Sequence, residues 1–120
     1  NINSAYDLGY KQQVNLFKKI REITGSFPSV FDSKDILSSP KSVLQKLCIE
    51  LDIEFSIKML NWPKGNRSSD GVWSSHWYKN VVNSDGFMSY KEPSQNLKKE
   101  HIDNFKECMY HYNYLNSFKI

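Results

Sequence analysis

The sequence predicts a predominantly α-helical fold with one short strand. Three observations carry this reading. Apolar residues recur at three- and four-residue steps in three long stretches, which lines one face of a helix in each. One brief run, Ser29-Val30-Phe31-Asp32, reads as extended. Glycine and proline punctuate the boundaries between these stretches. With 39% apolar and 14% aromatic residues, the 120 residues have the material for a core, and they read as a single unit. Disorder follows from few aromatics and high net charge, and neither holds here.

The first helix is expected over Ala5 to Thr24. Tyr10, Val14, Phe17, Ile20 and Ile23 share its apolar face, and Lys11, Gln12, Lys18, Lys19 and Glu22 fall mainly on the other. Gly25 is the natural stop, because glycine enters the left-handed conformation without steric cost. Pro28 then opens the strand of four or five residues. A lone strand has backbone donors and acceptors to satisfy, so it needs a partner. Ser39-Pro40 announces the second helix, with Ser39 as N-cap and Pro40 at the first helical position. Val43, Leu44, Leu47, Cys48 and Leu51 form its stripe, and Phe55 to Leu60 adds a further turn or two.

Residues 62–71, Trp-Pro-Lys-Gly-Asn-Arg-Ser-Ser-Asp-Gly, are a loop by their turn chemistry. Trp73 to Val82 reads as helical, with Gly86 ending that segment. The last helix is expected from about Lys98 to Phe118, with Ile102, Phe105, Met109 and Tyr112 on one face.

Charge and composition narrow the functional classes. A formal net charge of +3 suits an anionic ligand, but it lacks the dense basic character of a dedicated nucleic-acid binder. No apolar run approaches the roughly 20 residues that span a bilayer. The N-terminus carries no basic-then-apolar signal pattern, and the reading is a cytoplasmic chain. The first residue is Asn1 rather than Met, which reads as a processed chain or a piece of a longer one. Cys48 and Cys108 fall on apolar helical faces and read as buried thiols. No C-x-x-C or C-x-x-H pairing points to zinc, and no metal is expected.

Two stretches carry a family resemblance. Val30 to Phe55 runs from a strand through an acidic turn, Asp35-Ile36, to a proline-started helix and the pattern Leu44-x-x-Leu47-Cys48-x-x-Leu51-Asp52-Ile53-x-Phe55. Trp62 to Tyr78 reads W-P-K-G-N-R-S-S-D-G-V-W-S-S-H-W-Y. Together they resemble P-loop sulfotransferase-like proteins, in particular a bacterial and plant branch with the pattern W-P-x-G-x-R-x-x-D-G-V-W-x-x-H-W-Y. Some members of that branch carry a branched-chain aminotransferase-like label, although nothing in these residues supports pyridoxal phosphate chemistry. The opening Asp7-Leu8-Gly9-Tyr10 and the closing Tyr112-x-x-Leu115-x-x-x-Lys119-Ile120 also fit. Asp52 stands where the family usually has glycine, a mild departure, since aspartate tolerates a left-handed cap better than most residues.

The resemblance implies the C-terminal half of an α/β P-loop domain that moves a sulfuryl group from 3′-phosphoadenosine-5′-phosphosulfate (PAPS) to a hydroxyl or amine. Such an enzyme works by positioning and charge stabilisation. The chain holds no G-x-x-x-x-G-K-[ST] and no sulfotransferase version of it, so the phosphosulfate-binding half is expected upstream or in a partner chain. The chain by itself is therefore expected to be inactive. What the resemblance leaves here is the loop that closes over the 3′-phosphate side, with Lys64 and Arg67 as its cations and Gly65 and Gly71 admitting close backbone approach. Trp73 would pack beneath that loop. Relative to the wider family, Arg67 aligns with a loop lysine and Trp77 with a distal aromatic.

The alternative is a helical interaction module that has lost the donor site and pairs its lone strand with a partner or a second copy of itself. Other chemical candidates read as structural. His76, between Trp73 and Trp77, reads as a packed residue rather than a base. His101 and His111 stand too far apart along one helix to share a metal. Asp32 and Asp35 read as local turn caps. Tyr112 is expected to face the core, with Tyr110 and Tyr114 partly exposed.

Overall fold

Gly9 divides the first expected helix. In the computed structural model, which describes residues 4–94 and 96–120, Ala5–Leu8 forms one 3₁₀ turn. Gly9 follows in left-handed backbone at φ 77°, and α1 runs Tyr10–Thr24. The Asp7 carboxylate accepts from the Ser4 N–H at 3.0 Å and ties down the entry. At the far end Gly25 sits at φ 71° and donates its N–H to the Arg21 carbonyl at 2.8 Å, the stop expected of it.

The chain divides into two compact units, 1–32 with 92–120, and 33–91. The first is built on α1, a 3₁₀ turn at Lys99–His101, and the helix Ile102–Asn116. Ala5, Val14, Phe17 and Cys108 are its buried apolar residues. Phe17 is the centre. Its ring lies 4.9 Å from Phe118, 6.0 Å from Phe27 and 6.3 Å from Tyr114, the last edge-on. Arg21 covers Phe27 at 4.0 Å and Lys18 covers Tyr114 at 5.0 Å, so the cluster is roofed by cations whose stems stay apolar. Burying a ring of this size contributes about 2–3 kcal/mol. Tyr114 is half-buried, in line with its expected partial exposure, and joins this cluster, while Tyr110 is more exposed than expected. Half-buried Tyr112 donates its hydroxyl to the Asp32 carboxylate. Asp32 thus holds a side chain 80 positions away, in addition to any role in its own turn.

The expected strand shrinks to one parallel bridge, Val30 with Lys119, in which the Ile120 N–H donates to the Val30 carbonyl at 3.2 Å. The reason is local. Ser33 already begins a helix, which leaves too few extended residues for a ladder.

The second unit opens with α2, Ser33–Ser38, where the sequence suggested only an acidic turn. It stops at Ser39, because proline disfavours helical geometry in the residue before it, and Ser39 sits at φ −146°, ψ 60°. Next comes α3, Pro40–Glu50, with Pro40 in its first turn as expected, although the Ser39 side chain makes no capping hydrogen bond. Its C-terminus is a Schellman closure. The Ile53 N–H donates to the Cys48 carbonyl at 2.9 Å, and the Asp52 N–H to Ile49 at 3.2 Å. Asp52 is left-handed at φ 52°, as its place in the pattern required. Cys48 is buried, with its sulfur 3.8 Å from that of Met59 in the 3₁₀ turn Ile57–Leu60. Both cysteines are free and buried. The helix expected over Trp73 to Val82 divides at Tyr78 into α4, Ser74–Trp77, and α5, Lys79–Val82. Each is a single turn, with few hydrogen bonds to offset the cost of nucleation. The long C-terminal helix of the first unit, Ile102–Asn116, is α6. Among the described residues no helix is long and apolar enough to cross a membrane.

Candidate functional site

The loop 62–71 is fastened at its base. Asn61 pairs with Gly86 in an antiparallel bridge. The Trp62 N–H donates to the Asp85 carbonyl at 3.1 Å, and the Gly65 N–H to the Val82 carbonyl at 2.8 Å. The Trp62 indole Nε1–H donates to Ser84 Oγ at 3.0 Å, and that hydroxyl donates to the Val81 carbonyl at 2.7 Å. The Trp62 ring meets Phe87 edge-on at 5.3 Å. Each neutral hydrogen bond of this kind contributes about 1 kcal/mol, and together they hold one end of the loop against residues 82–87. Gly86 permits the approach, since a Cβ there would come within 3.2 Å of the Leu60 carbonyl oxygen.

Beyond this base the loop turns on itself. Gly65 has φ 111°, a conformation that side chains rarely adopt. The Arg67 N–H donates to Asp70 Oδ2 at 2.8 Å, and the Asp70 N–H returns to the Arg67 carbonyl at 3.0 Å. This Asp-closed turn holds Arg67 at the exposed tip.

The two cations differ. Lys64 Nζ stands 3.3 Å from Asp85 Oδ2, with both side chains mostly in solvent. Such a pair contributes little, 0–1 kcal/mol, so an incoming anion could displace it. The Arg67 guanidinium is exposed and forms no ion pair among the described residues. Its planar fork is suited to two oxygens of one phosphate. Nothing lies within 4 Å of a Cβ built on Gly65 or Gly71, so the space above both is open. A phosphate therefore fits the donor set, with Arg67 the readier ligand and Lys64 the one in competition with Asp85.

Trp73 does not pack beneath the loop. It is 66% exposed, and its ring faces His76 at 6.5 Å. Trp62 does the fixing instead. His76 is exposed too, against the expectation of a packed residue. The side chain of Trp77 lies outside the described residues. Sequence reasoning missed Ser84, Asp85 and Phe87, which hold the loop from across the bridge. The Asp85-Gly86 dipeptide, a turn signal, was the one local pointer to them. Among the described residues no group of three or more His, Cys, Asp or Glu is placed to hold a metal ion.

Beside this base lies a groove of about 600 Å³, whose lining includes Leu60, Asn61, Asn80, Asn83, Asp85, Phe87 and Met88. The loop is thus anchored at its base, bears a left-handed glycine and carries two cations. The sulfotransferase domain family matches residues 1–118, and the chain belongs to that family. Membership carries the P-loop fold, and the family's donor is in general PAPS.

The chain is similar to two proteins of Arabidopsis thaliana. One is branched-chain-amino-acid aminotransferase-like protein 1, 33% identical over 95% of the chain and 20% of the relative. The other is branched-chain-amino-acid aminotransferase-like protein 2, 30% identical over 94% of the chain and 20% of the relative. The chain thus spans about a fifth of the length of these relatives. No solved structure matches it.

Proposed function

We propose that this chain is the C-terminal part of a sulfotransferase domain and supplies the loop that closes over the 3′-phosphate of PAPS during sulfuryl transfer to a hydroxyl or amine. The observation that carries the reading is Arg67, exposed and without an ion pair among the described residues, on a loop whose base is held by Trp62 and Gly65. Lys64, Gly65 and Gly71 complete the wall, with the cations binding and the glycines leaving room. Trp73 lies exposed at the edge of this stretch, open to an adenine ring or another planar group. The grip on the 5′-phosphosulfate belongs to an upstream half of the domain or to a partner chain. Working in the cytoplasm, this chain alone binds the nucleotide weakly and transfers nothing.

Within 33–91, Cys48 is the one buried apolar residue among those described, while Ile49, Ile53 and Ile57 are more than half exposed. That is the surface expected of a piece whose core is completed by other residues. The interaction-module alternative has less behind it, because the Val30 carbonyl already has a partner in Ile120.

Isothermal titration with adenosine 3′,5′-bisphosphate tests the assignment, on the chain alone and on the chain joined to a P-loop half. The joined protein is expected to bind far more tightly. Arg67→Ala is expected to weaken that binding about tenfold or more, and Lys64→Ala by less, because Lys64 starts out paired. Tight binding by the chain alone, indifferent to both substitutions, overturns the reading.

A further inference from the structure

The groove beside the loop has a chemistry of its own, and it is not that of a phosphate site. Its wall carries three carboxamides, Asn61, Asn80 and Asn83, and the hydroxyl of Ser84, with Leu60, Phe87 and Met88 as apolar surface. Among the described residues no lysine or arginine lines it, and the one ionisable group on its lining is Asp85. An anion entering it would meet that carboxylate, whose partner Lys64 lies outside the lining.

The hydrogen-bonding capacity can be counted. Ser84 Oγ accepts from Trp62 and donates to Val81, which leaves it one acceptor lone pair and no donor. Asn83 Nδ2 gives one of its two N–H donors to the Lys79 carbonyl at 2.8 Å, which orients that amide and leaves its second N–H and its Oδ1 available. Asn61 and Asn80 each offer both a donor and an acceptor. Apart from Asp85 the wall is uncharged, richer in acceptors than donors, and backed by an aromatic ring that Trp62 meets edge-on. Its volume falls in the ordinary range of small-molecule sites.

We infer that this groove binds a neutral, hydroxyl-rich molecule, such as a sugar, and that this molecule is the acceptor. Its hydroxyls donate to Asn83 Oδ1, the Asn80 and Asn61 amides and the Asp85 carboxylate, while its C–H face lies on Phe87 and Met88. The identification as acceptor rests on the proposed sulfuryl transfer. It follows from position, because Asp85 belongs to the groove and also pairs with Lys64 of the closing loop. When a nucleotide phosphate draws Lys64 away, Asp85 is released to accept a hydrogen bond from the acceptor. The two ligands would then favour each other's binding.

The test is titration of the full chain with maltose, followed through the side-chain amide NMR signals of its asparagines, with glucuronate as the anionic counterpart. Saturable maltose shifts at Asn61, Asn80 and Asn83 are expected, weakened about fivefold or more in Asn80→Ala. Asn80 is exposed, and an unchanged spectrum elsewhere verifies that the substitution keeps the fold. Glucuronate is expected to bind more weakly than maltose, with the gap closing in Asp85→Asn. Maltose shifts that are absent, that do not saturate or that survive Asn80→Ala overturn the inference, as does tighter binding of glucuronate. The bisphosphate titration separates the two readings. Asn80→Ala leaves nucleotide binding intact, whereas Arg67→Ala weakens it and spares maltose.

Discussion

The two units of this chain use aromatic residues in opposite ways. In the first, Phe17, Phe27, Tyr114 and Phe118 meet one another, and two cations are spent covering their faces. In the second, Trp62 has its ring against Phe87 and its indole N–H on Ser84, and it holds a loop rather than a core. The cations follow suit. Lys18 and Arg21 lie over rings, while Arg67 stands on an open turn. One unit invests its interactions in stability, and the other leaves donors facing outward at some cost in packing. Functional loops carried on rigid elements commonly show this division.

Substitutions can break the comparison, starting with the strongest. Phe17→Ala empties the centre of the aromatic cluster and is expected to cost about 3–5 kcal/mol in urea unfolding. If its loss is under about 1 kcal/mol, the first unit is not the stabilising one. Gly65→Ala places a Cβ on a backbone at φ 111° and is expected to cost about 1–2 kcal/mol, although open space surrounds the site. The penalty there is conformational, so serine should behave as alanine does. Trp62→Phe keeps the ring and deletes the hydrogen bond to Ser84, for about 1 kcal/mol. Its sharper readout is faster amide exchange at Gly65, because the loop loses part of its base.

Asp52→Gly is expected to act in the other direction, raising stability by about 0.5–1 kcal/mol, since glycine occupies φ 52° without strain. A loss instead would mean that the Asp52 side chain contributes more than its backbone strain removes. The smallest effect concerns pH. Burial, with Glu107 adding to it, raises the Cys108 thiol above its ordinary value. The folded state therefore holds that proton longer than the unfolded state. Its contribution is complete below the ordinary thiol range and is lost as pH rises through the raised value. Cys108→Ala should flatten the decline of the urea midpoint between neutral and alkaline pH.

Much of the site was legible in order but not in assignment. The loop's boundaries, its two cations and its glycines follow from turn chemistry and charge, which are local. The tryptophan that supports it does not. Trp62 and Trp73 both flank the loop, and no local rule says which ring turns inward. The choice depends on Ser84 and Phe87, more than 20 positions away, reached only through the bridge at Asn61 and Gly86. Asp32 shows the same limit, since its partner Tyr112 arrives from the far end of the chain.

By itself, the sequence determined the helical character, the stop at Gly25, the proline-started helix, the left-handed cap at Asp52 and the burial of both cysteines. Through its motif it also determined the family. These depend on backbone preferences and apolar periodicity, which act over a few residues. Tertiary structure alone decided that Gly9 breaks the first helix, that the strand is a single bridge, that Tyr114 meets the Phe17 ring, and that Lys64 is paired while Arg67 has no ion pair among the described residues. Those outcomes depend on which distant groups meet, and a linear pattern carries no record of distance in space.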